Sequence, residues 1–120
     1  MTTAVPRLGS VVLDCPDPRA LADFYARLLD WPAGESDDDS WATIEGPAGA
    51  MIEFQRAADY RPPTWPDPEV LQMFHLDLRV DDLEAAHGRA LALGAKLLDQ
   101  HRTFRVYADP AGHPFCLCQV

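Results

Sequence analysis

This sequence of 120 residues is poor in lysine, in long apolar runs and in cysteine. Lys96 is its single lysine, and ten basic residues face 19 acidic ones for a formal net charge of -9. Such a surplus of carboxylate repels a phosphate backbone unless the arginines cluster strongly, so nucleic acid is not expected as a partner. No stretch approaches the ~20 consecutive apolar residues of a membrane span, and MTTAVPRLGS has no apolar core of a signal peptide. The expectation is a cytoplasmic protein with no membrane partner. Three cysteines, an odd number without an export signal, argue against a disulfide framework. Cys116 and Cys118 stand two apart in one strand-like run, which suits a bridge poorly because a disulfide needs converging Cβ vectors. Packing and metal binding remain as their two readings.

Apolar residues make up 48% and charged residues 24%, the balance of a folded globular protein. A chain of this length fits one domain, or two small halves that share a core. An internal repeat supports the second arrangement, with an offset of about 65 residues. SVVLDCPDPRALADFY runs from a strand pattern through Asp17 into a helix pattern, and HLDLRVDDLEAAHGRA does the same with Asp82 in the place of Asp17. A carboxylate at each of these positions accepts free backbone N–H groups and meets the positive helix end, and Pro18 loses no hydrogen bond in the first turn. Leu21, Phe24, Tyr25, Leu28 and Leu29 recur at helical spacing, whereas Leu83, Ala86, Ala90 and Leu93 predict a thinner apolar face. Asp30 with Pro32, and Gly94, are the expected stops.

Short β-prone runs follow each helix: SWATIEG and AMIEF in the first half, AKLL, FRVYA and PFCLC in the second. GPAG and DPAG form equivalent turns, with proline at fixed φ and glycine at positive φ. Each half therefore reads β-α-β-β-β. The expected fold is α+β: two βαβββ modules, about 5–56 and 73–120, forming a curved eight-stranded mixed sheet with the helices on its outer face. A proline-rich connector at about 57–72 joins them as an extended surface segment, in which Trp65 pins the connector or caps a cavity mouth. The DDDS run is expected to be a solvated hairpin tip.

Strand side chains alternate between faces. In HLDLRVD, Leu76, Leu78 and Val80 are expected to meet the helix, which leaves His75, Asp77 and Arg79 on the far face. The same alternation sends Glu53 in AMIEF and Cys116 and Cys118 in PFCLC to that face, with Ser10, Val12 and Asp14 from the first strand. Asp14 and Arg79 are equivalent positions that can pair across the sheet. Trp41 and Phe104 are equivalent aromatics that wall a pocket or fill a core, the core being slightly favoured. His87, His101 and His113 share no spacing and read as helix-surface, loop and turn residues.

The DxxxxxxFYxxLL pattern (Asp17, Phe24, Tyr25, Leu28, Leu29) and the DPxGxP turn (Asp109, Pro110, Gly112, Pro114), set in a doubled βαβββ pattern, resemble the vicinal oxygen chelate superfamily. Its members include glyoxalase I, ring-cleaving dioxygenases and bleomycin- or fosfomycin-resistance proteins, and the likeness is strongest to small glyoxalase-like proteins of one domain. In metal-bearing members the first and last strands of each module supply His, Gln or Glu to one divalent ion. The equivalent positions here hold Ser10, Glu53, His75 and Cys116, so the resemblance implies an incomplete tetrad in which His75, Glu53 and Cys116 are the candidate ligands. Zinc accepts carboxylate, imidazole and thiolate donors and is the most compatible ion, while the thiol disfavours harder ions. The cofactor expectation is therefore no metal or one divalent cation.

Two functions follow from the resemblance. One is a small-molecule binding protein whose cavity is lined by Ser10, Val12, Asp77, Cys118, Trp41 and Phe104. The other is a metal-dependent enzyme, a glyoxalase-type lyase or isomerase or a dioxygenase-like protein, using His75 and Glu53. In the enzyme reading Glu53 is the catalytic residue: without a metal, burial is expected to raise its pKa and make it a base. A third, plainer reading is a module whose site has decayed. The family habit of forming a cavity between halves of two chains implies a symmetric homodimer.

Overall fold

The computed structural model describes residues 4–120. The first module holds strand β1 (Val11–Cys15), helix α1 (Pro18–Leu29) and strands β2 (Glu35–Asp38), β3 (Trp41–Glu45) and β4 (Met51–Arg56). The second holds β5 (Leu76–Val80), α2 (Leu83–Ala92), β6 (Lys96–Gln100), β7 (Phe104–Ala108) and β8 (Pro114–Gln119). Each is the expected βαβββ unit, and DDDS lies at the β2–β3 hairpin. Hydrogen bonding divides the eight strands into two mixed four-stranded sheets, ordered β1-β4-β3-β2 and β5-β8-β7-β6.

The repeat extends to register. In the parallel pair β1–β4, Val12 lies opposite Glu53; in β5–β8, Asp77 lies opposite Cys116. In the antiparallel pairs, Trp41 lies opposite Gln55 and Phe104 opposite Cys118. A residue on the far face of one module therefore has a counterpart at the same address in the other.

The helix boundaries follow from their caps. The Asp17 carboxylate accepts from the Ala20 N–H at 3.2 Å, and the Asp82 carboxylate accepts from the Ala85 N–H at 3.1 Å. Asp30 ends α1 in the left-handed conformation, and Gly94, at φ 109°, follows the end of α2. Helix α1 buries Leu21, Ala22, Phe24, Tyr25 and Leu28, whereas α2 buries only Leu83 and Ala90, in line with its thinner apolar face.

One core joins the modules. Tyr25 and Phe24 of α1 meet Phe115 of β8, and Tyr25 also stacks on Phe54 of β4. The Tyr25 hydroxyl donates to the buried Asp109 carboxylate at 2.7 Å, and Arg89 of α2 donates to the Leu28 carbonyl at 3.1 Å. The DPAG turn is pressed against the connector: at Gly112, φ 92°, an added Cβ would lie 2.7 Å from that of Pro62. The molecule is nonetheless extended, 46 × 34 × 28 Å, with a radius of gyration of 15.0 Å. A compact chain of this length has about 13.6 Å.

Candidate functional site

Strand alternation places the side chains as expected. Ile52, Phe54, Phe115 and Leu117 are buried toward the helices, while Glu53 and Cys118 are half-buried on the opposite face. Cys116 shares that opposite face yet is only 7% exposed. All three cysteines are free thiols. The two modules use equivalent positions on this face very differently.

In the first module the face is organised around one carboxylate. Glu53 Oε2 accepts from the Ser10 hydroxyl at 2.6 Å, and Oε1 accepts from the Trp41 indole Nε1 at 3.1 Å and the Thr43 hydroxyl at 3.0 Å. Val12, opposite Glu53 in the register, adds no polar atom. The Ser10 hydroxyl foremost, then the Trp41 and Thr43 donors, stabilise the charged form and hold the Glu53 pKa below the ordinary carboxylate value despite some desolvation. This corrects the expectation of a raised pKa, because three donors outweigh the modest desolvation of a half-buried group. Glu53 here is a fixed anion and a poor proton acceptor. Trp41 likewise belongs to this face through its N–H. Thr43 was not singled out from sequence, although alternation along β3 from Trp41 marks it.

A depressed carboxylate pKa contributes stability above the unfolded-state value, and that contribution is lost as pH falls through the folded-state value. Ser10→Ala removes the leading donor, so the Glu53 titration midpoint is expected to move up and its pH-dependent contribution to stability to shrink. Carboxyl-carbon NMR titration measures the midpoint, and an unchanged value would show that Ser10 does not set it.

In the second module the same addresses hold His75, Asp77 and Cys116, side chains of the types that can ligate a metal. His75 and Asp77 are two apart along one strand direction and share a face, and Cys116 is the register partner of Asp77. His75 Nε2 lies 3.0 Å from Asp77 Oδ1, and donor atoms of His75, Asp77 and Cys116 all lie within 4.8 Å of one another. Among the described residues this is the one such group of His, Cys, Asp or Glu, and Glu53 is not in it. Burial, followed by the Asp77 charge, raises the Cys116 thiol pKa to about 11, so the thiol is protonated at neutral pH without a cation. Cys118 and Phe104 lie next to each other on the same face, and the Phe104 ring stacks on His101 at 4.4 Å.

Asp14 accepts from Gln55 Nε2 at 2.7 Å, which replaces the expected pairing with Arg79. His113, placed in the turn, reaches the Asp14 carbonyl through Nε2 at 2.5 Å. His87 bonds the Tyr107 hydroxyl at 2.7 Å.

A cleft of about 510 Å³ opens where β1, the connector and the start of β5 meet. Val12 and His75 line it, as does an apolar rim of Leu71, Met73 and Phe74, which are 62%, 85% and 58% exposed. Asp14, Gln55, Tyr60 and Arg61 add polar groups. Trp65 lies outside this cleft, against a smaller depression formed with Pro66 to Met73. The connector residues carry no periodic pattern, so their role in the cleft was not visible in the sequence.

Two βαβββ modules sharing one core, with a polar face on each sheet turned from the helices, define a vicinal oxygen chelate fold. The chain belongs to the family described as glyoxalase-like domain, whose model matches residues 10–118. Solved structures of this fold include a glyoxalase/bleomycin resistance protein/dioxygenase family enzyme from Burkholderia phytofirmans PsJN, at TM-score 0.75 and 16% identity, covering 96% of this chain and 99% of that one. The fosfomycin resistance protein FosX from Listeria monocytogenes matches at TM-score 0.73 and 15% identity, covering 97% and 92%. TnmS3, an antibiotic binding protein from Streptomyces sp. CB03234, matches at TM-score 0.65 and 18% identity, covering 98% of each chain. A single-substitution mutant of FosX has been solved with manganese(II) and 1S,2S-dihydroxypropylphosphonic acid. No curated protein matches the sequence at a significant level.

Proposed function

We propose that this chain binds a small organic molecule in the cleft between its modules and works as a homodimer. The observation that carries the reading is the cleft of about 510 Å³, within the usual range of small-molecule sites and combining an apolar rim with a few polar groups. TnmS3 is an antibiotic binding protein, and at 18% identity it supports a binding role for this fold. A ligand with an apolar body and a basic group suits the cleft, given Asp14 and the net charge of -9.

The dimer is supported by surface area. The chain exposes 7910 Å², whereas a compact monomer of 13.3 kDa exposes about 6,500 Å². The excess exceeds the ~800 Å² that one partner gives to a standard interface. Leu71, Met73 and Phe74 are apolar and solvent-facing in one chain, and a second copy over them would also enclose the cleft.

Thermal melts against a panel of aromatic amines and antibiotics test the reading. A binder is expected to raise the melting temperature of the wild type, and Phe74→Ala to weaken its binding about tenfold, the worth of roughly 1.4 kcal/mol of lost apolar contact. Silence across the panel, or equal affinity for Phe74→Ala, counts against the cleft. Sedimentation at micromolar concentration should give twice the chain mass; a monomer removes the dimer.

A metal-dependent enzyme using His75 and Glu53 is the second reading. The cluster of His75 with Asp77 and Cys116 favours a cation, while the three donors on Glu53 argue against its joining that cation or moving a proton.

A further inference from the structure

The four positions that metal-bearing relatives use do not fit one ion in this chain. Ser10 is not an ordinary zinc ligand, its hydroxyl is spent on Glu53, and both Glu53 oxygens already accept hydrogen bonds. We infer that the second module by itself holds a zinc-type divalent cation, with His75, Asp77 and Cys116 as its protein ligands.

The shared register of the modules shows why only one of them can do so. The first-module counterparts of His75, Asp77 and Cys116 are Ser10, Val12 and Glu53. There the middle position has no donor atom and the serine satisfies the carboxylate. In the second module the middle position is Asp77, which stands between the other two as strand neighbour of His75 and register partner of Cys116. Zinc–ligand lengths of roughly 2.0–2.3 Å at tetrahedral angles place donor atoms about 3.3–3.6 Å apart. The three donors already lie within 4.8 Å of one another, so small side-chain rotations suffice.

The donor set also selects the ion. One imidazole, one carboxylate and one thiolate suit zinc or cobalt over magnesium or calcium, which prefer all-oxygen shells. Arg79, two residues further along this face, opposes a cation. Asp77 and the thiolate formed as the Cys116 proton leaves supply two negative charges against it. Three protein ligands leave a fourth position for water or an oxygen donor. His75 also lines the cleft, so a molecule bound there lies beside the ion. The inference stands independently of the cleft reading, since neither Glu53 nor the connector is needed to hold the ion.

Cobalt(II) titration of metal-free protein provides the test. The wild type is expected to bind one equivalent with the visible absorption of a tetrahedral site and a thiolate charge-transfer band, both abolished by added zinc. Even outer-shell changes at metal sites cost about 10–100-fold in affinity, so Asp77→Asn and His75→Ala should each lose about 100-fold. Cys116→Ser should lose the charge-transfer band. Glu53→Gln and Ser10→Ala should bind cobalt within about twofold of the wild type, the scatter expected for residues outside the ligand shell. Absence of stoichiometric binding overturns the inference. So does its loss in Glu53→Gln, which would restore a site spanning both modules, or its retention in Asp77→Asn. Asp77 and His75 are exposed, so their variants decide the matter even if the buried Cys116→Ser fails to fold.

Discussion

Phe115→Ala is expected to destabilise the protein by about 3–5 kcal/mol, a large part of the roughly 5–15 kcal/mol that holds a domain of this size together. The ring is fully buried and lies 5.4 Å from Tyr107, nearly parallel to it, with Phe24 and Tyr25 each 6.0 Å away at steep angles. Tyr107 belongs to its own sheet, whereas Phe24 and Tyr25 come from the helix of the other module. The cavity left by alanine would therefore open at the junction between modules, where neither sheet can collapse into it alone. Urea unfolding measures the effect as a lower midpoint at unchanged slope. A loss below about 1 kcal/mol at Phe115 would mean that the modules are not held together through this ring.

The second large effect concerns Asp109. Its carboxylate is 4% exposed and accepts from the Tyr25 hydroxyl at 2.7 Å and from the backbone N–H groups of Ala111 and His113 at 2.8 and 3.0 Å. Asp109→Ala strands the buried Tyr25 hydroxyl and two part-buried backbone N–H groups and is expected to cost roughly 2–5 kcal/mol, since each unsatisfied buried group costs about 1–3 kcal/mol and the losses overlap. Burial raises the Asp109 pKa above the ordinary value, outweighing the lowering by Tyr25 and His113. The sign is opposite to that at Glu53. A carboxyl whose folded pKa is raised favours the folded state at low pH, and this advantage is lost as pH rises past the unfolded-state value through the folded one. Asp109→Asn keeps the shape without the titration. The stability of the wild type relative to Asp109→Asn should therefore fall as pH rises from acid toward neutral, in denaturation curves at several pH values. A difference that is flat with pH, or that grows, would show that Asp109 ionises as freely in the fold as in the unfolded chain.

Much of the architecture was legible because it rests on local chemistry. Asp17 and Asp82 cap helices through their own short side chains, and period-two alternation assigns each strand residue a face once the helix side is known. These rules put Glu53, His75, Asp77 and Cys116 on one kind of face, and the repeat matched their addresses. The Glu53 pKa was not legible, because it depends on donors from two other strands: Ser10 beside β1, and Trp41 and Thr43 on β3. The cleft rim was not legible either, since Leu71, Met73 and Phe74 sit between β4 and β5 in a stretch without periodicity.

From the residues alone came the doubled βαβββ unit, the caps, the turns and the side of the sheet on which each polar group stands. All of these depend on interactions within a few positions along the chain. Which polar groups meet was decided by tertiary structure: strand register brings Asp77 to Cys116 and gives Glu53 its three donors. Hydrogen bonds and metal ligation act over a few ångströms in space, and residues tens of positions apart come that close only when the sheets form.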